Sequence, residues 1–114
     1  MVTDLKYLRQ MTGDSAEIMK EMIDMFLTQL TETSVELGSL YESNNWLELS
    51  RLAHKVKSSA LVMGAEQLAH NMIELEGLAK EEVPQSEKCL ATIKTVLALS
   101  VDVRKELEEQ VKNL

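Results

Sequence analysis

Residues 45–65 read NWLELSRLAHKVKSSALVMGA, and the spacing inside this stretch decides the fold. At about 100° per residue, Leu49, Leu52, Ala53, Val56, Ser59, Ala60 and Met63 fall within roughly 60° of one direction. A strand would alternate with a period of two, so the stretch reads as one amphipathic helix. Asn45, with Glu48 three residues on, has the chemistry of an N-terminal cap ahead of Trp46. Gly64 supplies helix termination, because glycine enters the left-handed conformation without a Cβ penalty.

The same periodicity extends in both directions. Thr3 and Asp4 can cap a short first helix with Leu5, Leu8 and Met11 on one side, interrupted at Thr12-Gly13. Asp14, followed by Glu17, marks a second start, with apolar residues at Ile18, Met19, Met22, Ile23, Phe26, Leu27 and Leu30. This helix continues through Val35, Leu37, Leu40 and Tyr41, with a bend expected near Thr31–Ser34 and Gly38. Ser43-Asn44-Asn45 forms the turn into the 45–65 helix. A fourth helix is predicted from about Ala65 to Lys80, with Leu68, Met72, Leu75 and Ala79 inward. Pro84 cannot sit in a helix interior, so a connection falls there. The last helix carries Leu90, Ile93, Leu97, Val101, Leu107, Val111 and Leu114.

The composition agrees: 7 Met, 1 Pro and 4% aromatics favour helix formers over strand formers. The expectation is an all-α, antiparallel four-helix bundle with a short extra N-terminal helix, forming one domain over residues 1–114. No apolar run approaches the roughly 20 residues of a membrane span, and MVTDLKYLRQ lacks a basic region followed by an apolar stretch. A soluble, cytoplasmic protein is expected. Cys89, the lone cysteine, has no disulfide partner within the chain and reads as a small buried apolar side chain. The seven methionines are core filler.

His54 lies about 160° from the centre of the apolar stripe, so its imidazole is displayed. Lys57, Ser58 and Leu61 are its neighbours one and two turns on. Leu47 and Leu61 share the outward side, where apolar residues beside a reactive group suit a docking surface. Between Leu49 and Ala65 the charged residues are Arg51, Lys55 and Lys57, a sum of +3; with a formal total of −7, the remainder carries −10. A cationic island around a histidine would stabilise a phosphoryl group through charge-assisted contacts. Neutral imidazole is a competent nucleophile near neutral pH. The acidic total argues against a nucleic-acid partner. His70 reads as a surface histidine, and neither H-x-x-x-H nor paired E-x-x-H spacing points to a metal.

Ala53-His54-Lys55-Val56-Lys57-Ser58-Ser59-Ala60, followed by Met63-Gly64-Ala65, resembles the signature of the histidine phosphotransfer (HPt) family. That pattern runs A-H-x-[LV]-K-[GS]-[SA]-[SA], a hydrophobic residue, then G-A. The short first helix, the acidic amphipathic second helix and Leu75-Glu76 late in the fourth extend the likeness over nearly the whole chain. The resemblance implies that His54 is the phosphoacceptor and that Lys57 holds the phosphoryl oxygens. It also implies that Glu76 accepts a hydrogen bond from the ring nitrogen that does not react. The family usually has glycine where this chain has Ser58, a residue small enough to let a partner approach. The docking surface would comprise Leu47, Arg51, Lys55, Ser58 and Leu61.

These readings make the chain a monomeric phosphocarrier in a two-component phosphorelay, not an enzyme, since no G-x-x-x-x-G-K-[ST] loop occurs for ATP. The implied partners are a response-regulator receiver domain and a sensor or hybrid histidine kinase, with no nucleic acid and no membrane. No cofactor is expected, Mg²⁺ being confined to the partner receiver. Two alternatives stand beside this: a helical docking module that is never phosphorylated, and a carboxylate-bridged metal bundle, which lacks the inward Glu and His pairing it needs.

Overall fold

A computed structural model describes residues 1–114 as five helices: α1 (Lys6–Thr12), α2 (Ala16–Glu42), α3 (Trp46–Val62), α4 (Glu66–Ala79) and α5 (Ser86–Lys112). Helices α2 to α5 form the bundle. Each packs on its sequence neighbour, α3 most extensively on α4, and α5 closes the ring against α2. α2 and α5 have 27 residues each, about 40 Å at 1.5 Å per residue, which sets the 45 Å long axis. α3 and α4 are shorter, and α1 with the segment before it fills the end they leave open.

Local chemistry places the boundaries. The Asn45 side chain accepts from the Glu48 backbone N–H at 3.4 Å, capping α3 as the sequence indicates. Gly13 and Gly64 end their helices at φ 63° and 64°. The start of α2 differs from the expectation. Ser15 is the cap, accepting from Ile18 N–H at 3.3 Å, while Asp14 continues the left-handed turn at φ 62°. α2 runs unbroken through Thr31–Ser34 and Gly38. Thr31 and Ser34 turn their hydroxyls onto the carbonyls of Leu27 and Leu30, so the polar cluster is satisfied within the helix.

One cluster of 23 buried apolar residues forms the core, drawn from every helix. Met19, Ile23, Phe26, Leu30 and Leu37 of α2 meet Leu49, Ala53, Val56 and Ala60 of α3 and Leu68, Met72 and Leu75 of α4. Cys89 is buried among them. Met11, Ile18, Val35 and Val101, expected inward, are exposed. In α5 the buried stripe is Cys89, Thr92, Ile93, Val96, Ser100, Val103 and Leu107, which leaves Leu97 half-buried and Val101 outside. Thr92 and Ser100 enter the core because their hydroxyls bond the carbonyls of Lys88 and Val96.

The segment before α1 is tied to α5 through one carboxylate. Glu106 accepts from Val2 N–H at 2.9 Å, Thr3 N–H at 3.0 Å and the Thr3 hydroxyl at 2.6 Å. Burial pushes the Glu106 carboxyl up. The Thr3 hydroxyl, both backbone N–H groups and the N-terminal ammonium outweigh that and hold it below the usual carboxylate value. A depressed folded-state value stabilises the fold above about pH 4.3, where the unfolded carboxyl is ionised, and this is lost as pH falls through the folded value. Glu106→Gln should therefore cost about 1 kcal/mol in urea unfolding near neutral pH, and the cost should shrink as pH falls through the folded-state value.

Candidate functional site

Small side chains set the site up. Ala53, Ala60, Ala65, Ala69 and Ala79 are all buried, which lets the backbones of α3 and α4 approach closely. Ser50 donates from its hydroxyl to the Glu76 carbonyl oxygen at 3.4 Å, fixing the register of the two helices at this level. As a result Glu76, on the flank of α4, reaches across the seam to the outward face of α3.

His54 projects from that face with 61% of its side chain exposed, whereas the Glu76 side chain is only 14% exposed. His54 Nδ1 lies 3.1 Å from Glu76 Oε2 and 3.3 Å from Oε1. A carboxylate can only accept, so Nδ1 carries the proton and donates it. In the neutral ring Nε2 is then the nitrogen with the free lone pair, on a side chain that is largely exposed. The Lys57 ammonium lies 3.4 Å from Nδ1. With Nδ1 donating to Glu76 that nitrogen cannot accept from the ammonium, so this is a close approach and not a hydrogen bond, and reaching a group on Nε2 requires rotation of the lysine chain.

Lys80 is the residue that the sequence reading missed. Its Nζ donates to Glu76 Oε2 at 2.9 Å, so one carboxylate oxygen serves both the ring and an ammonium. The signal was present, since Glu76 and Lys80 stand four apart on one helix, with the acid N-terminal to the base. The Lys80 hydrogen bond is the largest influence on the Glu76 carboxyl. With the His54 bond it holds the group below the ordinary carboxylate value against the opposing effect of burial.

The other anticipated residues fall into two groups. Leu47, Arg51, Ser58 and Leu61 are exposed along the same outward stripe as His54, and the Ser58 hydroxyl reaches back to the His54 carbonyl at 3.5 Å. Lys55 turns away, lining a groove between α2 and α3 with Met22, Met25, Phe26 and Ser59. Arg51 is paired with Glu48 at 2.8 Å. The cationic run along the chain is therefore less cationic in space, because Glu48 and Glu76 flank it. Gly64 stands at the α3–α4 turn and His70 is exposed on α4, away from the cluster. No helix is long and apolar enough to cross a membrane.

The chain is similar in fold to a rice protein assigned to the histidine-containing phosphotransfer proteins. The TM-score is 0.80 over 98% of this chain and 84% of that one, at 18% sequence identity. None of the curated proteins matches the sequence. The model of the Hpt domain matches residues 21–114, which spans most of α2 and all of α3 to α5. Together with the helical bundle and the displayed histidine, that match makes the chain a member of the Hpt domain family, whose proteins are phosphocarriers in histidine phosphotransfer within phosphorelays.

Proposed function

We propose that His54 Nε2 is the atom that carries the phosphoryl group, receiving it from, or passing it to, an aspartate of a response-regulator receiver domain. The observation that supports this best is the Nδ1–H to Glu76 hydrogen bond on an exposed ring, which in the neutral form puts the free lone pair on Nε2. In the accepting direction the Nε2 lone pair attacks phosphorus, the N–P bond forms, and the P–O bond to the aspartate breaks with its electrons returning to the carboxylate. The ring gains positive charge as this happens. Glu76 faces that charge through Nδ1–H, so it both aligns the imidazole and stabilises the developing cation. Onward transfer reverses the electron flow, and neither direction needs a proton relay.

Lys57 supplies the charge for the phosphoryl oxygens once its side chain turns to the Nε2 side. Leu47, Arg51, Ser58 and Leu61 frame the histidine for a receiver, with Lys55 bordering the adjoining groove. The carrier acts as a cytoplasmic monomer, takes its phosphoryl group from a receiver or hybrid kinase and turns over no ATP. The proposed transfer calls on no resident cofactor, since the Nε2 lone pair and the aspartyl phosphate are its two reactants. Mg²⁺ belongs to the receiver.

The reading is tested by incubating the protein with a panel of phosphorylated receivers and following acid-labile label. Transfer to the native chain is expected, whereas binding without any phosphohistidine would favour a docking module. Lys57→Ala should slow acceptance by about tenfold, the loss of roughly 1.4 kcal/mol of charge-assisted contact at an exposed site. An unchanged rate in that variant would remove Lys57 from the mechanism.

A further inference from the structure

We propose that Lys80 is a positioning residue for phosphoryl transfer: it holds Glu76 so that the carboxylate aligns the His54 ring without retaining a second proton on it. This deepens the reading of His54 as phosphoacceptor and rests on it.

A carboxylate beside a histidine has two opposed effects. It fixes the ring through Nδ1–H, and it also favours imidazolium, whose Nε2–H has no lone pair for attack. The charges around this ring decide between them. From α3, His54 reaches the carboxylate, and the Lys57 ammonium lies 3.4 Å from Nδ1 without forming an ion pair with Glu76. From α4, Lys80 takes Oε2 at 2.9 Å, the same oxygen that His54 approaches at 3.1 Å. α5, packed on the other side of α4, places no cation within ion-pair distance of Glu76. Glu48, the nearest acid along α3, is occupied by Arg51. One carboxylate thus meets one ammonium and one imidazole, with the Lys57 ammonium beside the ring, and a second proton on the ring would add a third cation to the cluster.

The placement of Lys80 suits this role. It is the C-terminal cap residue of α4, where the negative end of the helix dipole favours a cation. Its side chain is 65% exposed, so it bears on the site through charge and not through core packing. Lys80 Nζ approaches Oε2 at 2.9 Å against 3.1 Å for the ring, and its hydrogen bond is the foremost cause that holds Glu76 below the ordinary carboxylate value.

The test is the pH profile of phosphoryl acceptance in native protein, Lys80→Met and Lys80→Arg, with a phosphorylated receiver as donor. In Lys80→Met the acidic limb should move to higher pH by about 1 unit, with the loss largest near pH 6 and shrinking towards pH 8. Lys80→Arg should restore the native limb. Ring resonances of His54 followed from about pH 5 to 8 should show the same displacement without any partner present. An unmoved limb and unmoved resonances, or a rate reduced by one factor at every pH, would overturn the proposal; the latter would assign Lys80 to partner or phosphoryl contact. Absence of label from native His54 would instead overturn the phosphoacceptor reading, and the ring titration would still report on Lys80.

Discussion

His54→Gln should abolish phosphoryl acceptance, a loss of at least about a thousandfold against the native chain with any competent donor. Glutamine keeps a polar side chain of similar reach, but its amide nitrogen has no free lone pair and cannot form the N–P bond. The fold should not change, because the ring is largely exposed and Glu76 retains Lys80 as a partner. Unfolding free energy should stay within about 0.5 kcal/mol of native. His70→Gln is the matched control, since that histidine is exposed on α4 away from the cluster, and it should accept as the native chain does.

The largest expected effect on stability lies at Gly64. At φ 64° any other L-residue is strained, and a Cβ there would overlap the backbone of Asp4, whose N–H donates to the Met63 carbonyl at 3.2 Å. Gly64→Ala must therefore displace the segment that carries Thr3 to Glu106. Gly13 has nearly the same φ, 63°, but nothing within 4 Å of its Cβ position. The pair separates conformational strain from collision: Gly13→Ala should cost about 1 kcal/mol and Gly64→Ala about 3 kcal/mol or more in chemical unfolding. Equal losses would show that the close approach of Asp4 contributes nothing.

The contrast between these glycines shows where sequence reading stops. Gly64 was legible as a helix terminator because glycine after an apolar stripe has one common meaning. Its contact with Asp4, 60 residues away in the chain, has no local signature. The α3 stripe and the outward His54 were legible for a similar reason, since a wheel needs only spacing. The phase of α5 was not, because Thr92 and Ser100 look like surface residues until their hydroxyls are seen bonding the helix's own carbonyls. Counting apolar residues alone favoured Leu97 and Val101. Asp14 looked like a cap through its spacing to Glu17, yet two successive left-handed residues carry the chain one step further to Ser15.

At the site, the sequence supplied the parts and the structure supplied their arrangement. Glu76 was given its role as partner of the ring nitrogen by resemblance, and it lies at the α3–α4 seam within hydrogen-bond distance of His54 Nδ1. Lys80 has no signature beside the histidine in sequence, because it lies 26 residues on and meets Glu76 on the neighbouring helix. Lys55 illustrates the converse: it adjoins His54 in the chain, but 100° of helical rotation points it into the α2–α3 groove.

The most direct test of a phosphoryl group carried at Nε2, opposite a proton held by Glu76, is NMR of the phosphorylated protein read through ring nitrogen and phosphorus couplings. The expected result is a single phosphohistidine, at His54, with phosphorus bonded to Nε2 and the proton still on Nδ1. Phosphorus on Nδ1, or an equal yield of label in His54→Gln, would contradict it.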